Sequence, residues 1–251
     1  MQIDQTAAIV TGAASGLGAA AAAGLRAAGA RVTILDRDAD RGAALAAEIG
    51  AGFVAVDVTD DGSVARAVAA ATAGMGRITA CINCAGIATA ARTLGRDGPH
   101  DWAAFRRTLD INLAGSFNVA RLAVAEMAKN APDADGARGV VIHTASIAAY
   151  DGQKGQAAYA ASKAGVAGLV LPMARDLAGL GIRVMAIAPG VFRTPMLEGL
   201  GEEIMQGLAA DVPCPPRLGD PAEFAATVRF IIECGYLNAT TIRLDGGLRM
   251  R

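Results

Sequence analysis

The chain has 251 residues, enough for one large α/β domain with a single core. Hydrophobic residues make up 53% of it and charged residues 19%, which excludes the highly charged, weakly apolar composition of disordered proteins. Its formal net charge of −1 supplies no basic field for a phosphate backbone, so we expect no nucleic-acid partner.

The cysteine content and the N-terminal residues bear on localisation. Four cysteines are too few for a disulfide framework in a chain of this length, so we expect a reduced compartment, the cytoplasm. The uncharged stretch 5–25 has the length of a membrane span, but its glycines and alanines give little hydrophobic drive. We therefore expect neither a membrane span nor a signal peptide there.

Seven short apolar runs alternate with longer segments of high helix propensity, such as 19–28 and 38–49, which end at Gly29 and Gly50. Several runs are nearly continuous Val, Ile and Ala, which indicates strands covered by helices on both faces. We predict an α/β fold: one doubly wound Rossmann domain over 1–251 with a seven-stranded parallel sheet. The predicted strands are 7–11, 31–35, 52–56, 80–83, 140–144, 183–188 and 241–244.

A long insertion, residues 194–219, follows the sixth predicted strand. It lies where open α/β sheets place ligand-covering elements, so we predict a substrate-covering loop. Asp220, Pro221 and Glu223 then supply a cap, a first-turn proline and an acid, which predicts the start of a helix. Apolar residues recur at helical spacing in the insertion and could face a substrate chain or the core: Met196, Leu197, Leu200, Ile204 and Met205.

The first predicted strand runs into a glycine-rich turn, and a helix follows directly. Gly12, Gly16 and Gly18 let the backbone turn sharply and approach a pyrophosphate, whose charge then lies at the helix N-terminus. The alternative is a plain turn with packing glycines, because the spacing differs from the common fingerprint. Asp36 ends the second strand, where a carboxylate accepts the ribose hydroxyls of NAD and repels the extra phosphate of NADP. We therefore predict NAD as the cofactor.

Two neighbouring positions leave alternatives open. Arg37 follows Asp36 directly and could pair with a 2′-phosphate. Asp57 and Val58 end the third strand, at the edge where an adenine could lie. A solvated helix cap is an equally good interpretation of Asp57.

Tyr159 and Lys163 are four residues apart, so on a helix they share one face. A nearby ammonium favours phenolate, and we expect Lys163 to lower the pKa of Tyr159 towards the range useful for acid/base catalysis. Ser146 ends the fifth strand and can donate to the same substrate oxygen. The pair alone is a weak signal, because such spacings are common on exposed helices.

The ordered set resembles the short-chain dehydrogenase/reductase family over nearly the whole chain: the glycine turn, Asp36, the segment 83–86, Asn112, Ser146, Tyr159, Lys163, Pro189 and Gly190. The resemblance implies hydride transfer to nicotinamide, Tyr159 as general acid/base, Ser146 as polariser, Lys163 on the ribose and Asn112 holding a proton-relay water. The cofactor-binding residues it implies are Gly12, Ser15, Gly16, Leu17, Gly18, Asp36, Asp57, Val58, Asn83, Ala85, Gly86, Tyr159, Lys163, Pro189, Gly190 and Thr194.

Within that family the chain is similar to the 3-hydroxyacyl-CoA dehydrogenases of type 2, notably over 181–195, 213–223 and 242–250. This similarity implies NAD-linked oxidation of a 3-hydroxyacyl-CoA to a 3-oxoacyl-CoA in a homotetramer, with steroids as a further substrate class. The segment 89–100 departs from the family's loop there. The alternatives are a hydroxysteroid or other secondary-alcohol dehydrogenase, a 3-oxoacyl reductase or, in a different class, an NAD-binding scaffold.

Other polar residues have a structural interpretation that we favour. Cys81 and Cys84 form a C-x-x-C pair on a strand end, which suits buried thiols better than redox or metal use, and we predict no metal site. His143 lies within an apolar strand and is expected to be a core histidine. Solvated loop charge is favoured over contact with CoA phosphates for Arg92, Arg96 and Arg193.

Overall fold

The computed structural model describes residues 1–198 and 201–250, without the side chains of Met196 and Glu198. Its strands are β1 (Ala7–Thr11), β2 (Arg31–Asp36), β3 (Gly52–Ala55), β4 (Ala80–Asn83), β5 (Leu94–Gly95), β6 (Gly98–Pro99), β7 (Gly139–Thr144), β8 (Ile182–Pro189) and β9 (Thr241–Leu244). Its α-helices are α1 (Gly16–Ala27), α2 (Ala39–Ile49), α3 (Asp61–Met75), α4 (Trp102–Leu109), α5 (Gly115–Met127), α6 (Ala157–Leu177), α7 (Pro195–Glu198), α8 (Glu202–Ala210) and α9 (Pro221–Glu233).

The main sheet has seven parallel strands in the order β3-β2-β1-β4-β7-β8-β9. From β1 the chain winds outwards to β3, and it then returns to β4 on the other side and winds towards β9. The point between β1 and β4 where the direction reverses is the place where open α/β sheets bind ligands. The predicted fold class is confirmed.

Two apolar cores cover the two faces of this sheet. Alternate strand residues face opposite ways, so Ile9 packs in the core with α3, α5 and α6, whereas Val10 packs in the core with α1, α2 and α9. Both side chains are fully buried. This double cover explains why the strands are apolar at successive positions instead of alternating.

The local sequence signals predicted the helix ends well. Asp220 caps α9, and Glu223 completes the capping box by accepting from the Asp220 backbone N–H at 2.8 Å. Gly50 ends α2 in the left-handed conformation, with φ of 66°. Helix α1 begins at Gly16, three residues before the predicted segment, because the glycine turn leads into it without a spacer.

Three features differ from the sequence-based expectation. The insertion 194–219 contains two helices, α7 and α8, in place of one loop, and Met205 of α8 packs inwards whereas Ile204 is exposed. Segment 89–100 forms a hairpin from β5 and β6, whose two-residue strands are too short to show a period. Asp110–Ala114 is a π-helical turn between α4 and α5. Leu200 and the side chain of Met196, both assigned to the insertion's apolar stripe, lie outside the described residues.

Helix α6 passes the usual composition test for a membrane span. With the 3-10 turn that follows it, Ala157–Leu180 reaches a hydropathy of 1.2, with 39% of that window buried. Its residues Val166, Val170 and Ala174 pack in the core against the sheet. The same test is passed by core helices, so it is weak evidence for a membrane.

Two helix-interior glycines give a test of this packing. A Cβ on Gly115 would lie 2.6 Å from Val58 Cγ2, whereas a Cβ on the exposed Gly168 would have nothing within 4 Å. We expect Gly168→Ala to raise the free energy of unfolding by about 1 kcal/mol through helix propensity. Gly115→Ala should lower it by about 1–2 kcal/mol, because Val is stiff and cannot move aside. Urea denaturation of both variants checks this, and equal stabilisation would contradict the described contact.

Candidate active site

A cleft of about 2220 Å³ runs along the carboxyl ends of the parallel strands. Topology brings its walls together, because the residues after β1, β2, β3, β4, β7 and β8 all emerge at this edge. Most residues predicted for the site line it: Gly12, Ser15, Gly16, Leu17, Gly18, Asp36, Asp57, Val58, Ala85, Gly86, Ser146, Tyr159, Lys163, Pro189, Gly190 and Thr194.

The glycine turn after β1 is built for close approach. A Cβ on Gly12 would lie 2.6 Å from the backbone of Ala85, and one on Gly18 would lie 2.3 Å from the carbonyl oxygen of Gly12. Gly12 and Gly16 have φ of 62° and 58°, which only glycine adopts at little cost. A Cβ on Gly16 would meet only the side chain of Thr194, at 3.7 Å. The turn therefore presents bare backbone at the start of α1, which fits a pyrophosphate.

Asp36 lies at the end of β2 with its carboxylate at the cleft. Its two oxygens accept from the backbone N–H groups of Ala14 and Asp38, both at 2.9 Å. Each oxygen keeps a lone pair for a further donor. The carboxylate is thus fixed by backbone and remains able to accept ribose hydroxyls, so the residues of the cleft fit a nicotinamide dinucleotide.

Asp57 is not the cap of α3. The side chain of Asp60 accepts from Ser63 there, and Asp57 Oδ1 instead accepts from the backbone and hydroxyl of Thr59 at 2.9 and 2.7 Å. These hydrogen bonds hold the pKa of Asp57 below its usual value, so the group is ionised. Val58, beside it, lines the cleft where an adenine would lie.

Tyr159 and Ser146 face each other across the cleft. Ser146 caps a 3-10 turn by accepting from Ala148 N–H at 3.1 Å. Burial raises the pKa of Tyr159, and its hydrogen bond with Ser146 opposes that rise. The expectation that Lys163 lowers this pKa is wrong for the described structure, because burial dominates and the ammonium lies 5.8 Å from the ring centroid.

Lys163 shares the helix face of Tyr159, as predicted, and is almost completely buried. Its Nζ donates to the carbonyl oxygen of Thr144 at 2.7 Å. Burial lowers the pKa of Lys163 from 10.5 to about 8. Cys84 lies beside it with the pKa of its thiol raised by burial to about 11, so the thiol stays protonated.

Asn112 lies beneath the cleft and not among the residues described as lining it. The π-helical turn brings its amide to the backbone of Ile87, where it accepts from the N–H at 2.8 Å and donates to the carbonyl at 2.9 Å. It also donates to Ser162 Oγ at 3.0 Å. Asn112 thereby fixes the strand end after β4, and its role in a proton relay stays a prediction.

Asn83 is not among the residues described as lining the cleft, and its predicted contact with the cofactor stays a prediction. It shares the strand face of Cys81, whose Sγ donates to its Oδ1 at 3.8 Å, and its Nδ2 lies 3.3 Å from His143 Nδ1. Burial lowers the pKa of His143 to about 4 and raises that of Cys81 to about 12. All three groups are therefore neutral, and they support the sheet beneath the cleft.

The other end of the cleft was largely missed from the sequence. Leu197 and Ile204 line it as expected, and Met205 is buried instead. Arg92, Arg96 and Arg193 are exposed and absent from the described lining. Leu208, Asp211 and Pro213 line the cleft within the predicted covering insertion, and the residues without a sequence signal are Gln153, Gln156, Gly247, Leu248, Arg249 and Met250.

Comparison with known proteins relates the chain to the short-chain dehydrogenases over nearly its whole length. Residues 6–205 match the family model described as short chain dehydrogenase. The 3-hydroxyacyl-CoA dehydrogenase type-2 of Homo sapiens is 51% identical over 248 residues, 97% of this chain and 95% of the relative. That of Drosophila melanogaster is 47% identical over 246 residues, 96% of each chain. A crystal structure of 3-hydroxyacyl-CoA dehydrogenase type-2 from Mycobacterium avium has a TM-score of 0.95 and 46% identity, covering 100% of this chain and 98% of that one.

The buried ammonium of Lys163 has a measurable cost. Its lowered pKa corresponds to about 3 kcal/mol of destabilisation at neutral pH, which fades as pH rises from about 8 towards 10.5, because there the unfolded chain binds more protons. Lys163→Met should therefore raise the free energy of unfolding at pH 7 by about 1–2 kcal/mol, since the lost donor to Thr144 offsets part of the gain.

The measurement is urea denaturation at pH 7 and 9.5. The stability advantage of the variant should shrink at the higher pH, and Lys154→Met, at an exposed position, should show no such trend. An advantage of equal size at both pH values would contradict a depressed pKa for Lys163.

Proposed function

The chain belongs to the short-chain dehydrogenase family, and from this premise we propose that it oxidises a 3-hydroxyacyl-CoA to a 3-oxoacyl-CoA with NAD. One observation carries the proposal: Ser146, Tyr159 and Lys163 meet in the cleft of a chain about half identical to such enzymes along its length. A dinucleotide-binding scaffold has no need of this buried lysine, which costs stability.

The catalytic work of the chain is to hold and move one proton. In oxidation, the Tyr159 phenolate accepts the proton of the substrate hydroxyl, while the Ser146 hydroxyl donates to the same oxygen and fixes its position. Lys163, on the same helix face as Tyr159, would hold the ribose of the bound cofactor. Bound NAD supplies the acceptor for the carbinol hydride. In reduction, the Tyr159 phenol donates the proton.

The pKa of Tyr159 sets the direction of the pH dependence. Because burial raises this pKa, the phenol form predominates at neutral pH. Oxidation needs the phenolate, so its rate rises with pH until the group has ionised. Reduction needs the phenol and is favoured at lower pH.

The choice of NAD rests on Asp36. Its carboxylate is held at the cleft by Ala14 and Asp38, and its charge would repel a phosphate on the 2′-oxygen. Arg37 also lines the cleft, but it follows the strand end, whereas Asp36 is anchored by two backbone donors. The fixed carboxylate favours NAD over NADP.

The substrate end supports an acyl chain. Leu197, Ile204 and Leu208 come from α7 and α8 and give this end of the cleft an apolar wall. Met250 adds an unbranched side chain from the C-terminal residues, which adapts to chains of different shape. The 3-hydroxyl would lie at Ser146 and Tyr159, and the acyl chain would run along this wall.

We also propose a homotetramer in the cytoplasm. Large apolar side chains on three helices are exposed, namely Phe117 on α5, Leu171 on α6 and Phe230 on α9, at 43%, 44% and 56%. Association of subunits through these helices would cover them. All four cysteines are free, which suits a reduced compartment.

Replacement of the phenol tests the reaction. We expect Tyr159→Phe to lower kcat/KM with 3-hydroxybutyryl-CoA by about 10³-fold, because the proposed proton acceptor at the substrate oxygen is removed. The affinity for NAD, measured by calorimetry, should change by less than about threefold. Tyr236→Phe is the matched control at a fully exposed tyrosine and should leave both unchanged.

The wild-type enzyme is assayed in parallel for oxidation of 3-hydroxybutyryl-CoA and of a panel of hydroxysteroids and simple secondary alcohols with NAD. If kcat/KM for a steroid exceeds that for the acyl-CoA, the steroid replaces the acyl-CoA as the proposed substrate. The proposed mechanism would still stand. Full activity of Tyr159→Phe would overturn the mechanism itself.

Replacement of Asp36 tests the cofactor. Asp36→Ala should reduce the preference for NAD over NADP by about 100-fold, because the acceptor for the ribose and the repulsion of the phosphate are both lost. The variant also loses the hydrogen bond from the Ala14 N–H to Asp36, but that loss lowers the affinity for NAD and NADP equally. Asp40→Ala, at an exposed position nearby, is the control. An unchanged preference would exclude Asp36 as its source.

A further inference from the structure

We propose that Arg243 and Asp151 are positioning residues that set the size of the acyl pocket. They hold the C-terminal wall, residues 245–250, against the serine segment, residues 146–151. The inference rests on the proposed function, because it names what determines the substrate range at the same site. Neither residue is among those that line the described cleft, so both act through their neighbours.

Arg243 joins the two segments through its guanidinium group. Nη2 donates to Asp151 Oδ2 at 2.6 Å and to the carbonyl oxygen of Leu248 at 3.0 Å, while Nε donates to Asp245 Oδ2 at 2.7 Å. The side chains of Arg243 and Asp151 are only 23% and 18% exposed. A partly shielded, forked contact of this kind is geometrically specific, unlike a surface ion pair.

Asp245 turns the chain so that the wall faces the cleft. Its carboxylate accepts from the N–H of Gly247 at 3.0 Å, and its carbonyl oxygen accepts from the N–H of Leu248 at 3.0 Å. Gly246 and Gly247 both have positive φ, at 60° and 85°. The resulting tight turn presents Gly247, Leu248, Arg249 and Met250 to the cleft.

The same turn fastens the insertion that covers the substrate. Cys214 N–H donates to the Gly246 carbonyl oxygen at 3.0 Å, and Val212 packs in a small apolar cluster with Ile147 and Leu248. These residues come from the insertion, the serine segment and the C-terminal wall. Three segments distant in sequence therefore meet in one cluster, with the Arg243–Asp151 contact beside it.

Removal of the Asp151 charge loosens the contact between the segments without leaving a bare charge. In Asp151→Asn, the Arg243 guanidinium keeps Asp245 and the Leu248 carbonyl as partners and stays over the Tyr150 ring, 5.4 Å from its centroid. An amide oxygen accepts more weakly than a carboxylate, so the variant loses the charge between the two segments and keeps the fold. We expect the wall to lie less tightly against the serine segment, which enlarges the pocket.

The first experiment compares Asp151→Asn with wild type on four-carbon and eight-carbon 3-hydroxyacyl-CoA substrates. We expect KM for the four-carbon substrate to rise about 10-fold with kcat within about twofold, because ground-state positioning is lost while Tyr159 and Lys163 are untouched. The ratio of kcat/KM for the longer over the shorter substrate should rise at least about threefold. Asp151→Glu, which keeps the charge, should recover most of the KM effect.

Asp135→Asn is the matched control at an exposed aspartate outside the cleft. An equal loss of kcat/KM for both substrates in Asp151→Asn, or a fall in kcat with KM unchanged, would overturn the proposal in favour of a merely structural contact.

The second experiment needs no substrate. Hydrogen exchange at the amides of Cys214, Gly247 and Leu248 should accelerate at least about 10-fold in Asp151→Asn and not in Asp135→Asn. Unchanged exchange would overturn the proposal. If wild type does not turn over acyl-CoA, the proposed function fails, and the exchange result still decides whether Arg243 and Asp151 hold the wall.

Discussion

A lysine ammonium buried at the edge of the sheet is the constraint on which the rest of the site depends. Lys163 is 6% exposed, and burial there disfavours its charged form. The carbonyl oxygen of Thr144, at the end of β7, accepts a hydrogen bond from the Lys163 ammonium, which requires α6 to pack beside that strand end. The same two elements position Ser146 and Tyr159, because Ser146 follows β7 and Tyr159 lies on α6.

The parallel sheet converts remote sequence positions into neighbours. The glycine turn, Asp36 and the segment after β4 meet because β2, β1 and β4 are adjacent and all point the same way. Close approach then requires particular residues: a Cβ on Gly12 or Gly18 would collide with backbone that has no room to move. The cofactor half of the cleft is therefore fixed by backbone geometry, and few sequences can satisfy it.

The contrast between local sequence signals and long-range packing explains which parts of the structure could be predicted from the sequence. The apolar runs, Asp36 and the four-residue spacing of Tyr159 and Lys163 are local signals, and they gave the sheet, the helix faces and most of the cleft lining. The pKa of Tyr159 was predicted in the wrong direction, because it depends on burial by distant segments. The contacts of Asn83 with Cys81 and His143 were not visible in the sequence for a similar reason, since its strand face is set by packing. Residues 247–250 lie at the cleft because contacts with segments distant in sequence hold them there. Such contacts leave no pattern in the local sequence.

The two halves of the cleft thus differ in how they are held. Backbone contacts fix the cofactor half, whereas side-chain contacts among the insertion, the serine segment and the C-terminal wall close the substrate half. Side-chain contacts tolerate substitution more readily than a glycine turn does, because a lost hydrogen bond costs about 1 kcal/mol and leaves the chain path intact. The lining of the substrate half can therefore change by substitution while Ser146, Tyr159, Lys163 and the glycine turn keep their positions. Arg243 lies at the boundary, anchored on the last strand of the rigid sheet and reaching into the adaptable half.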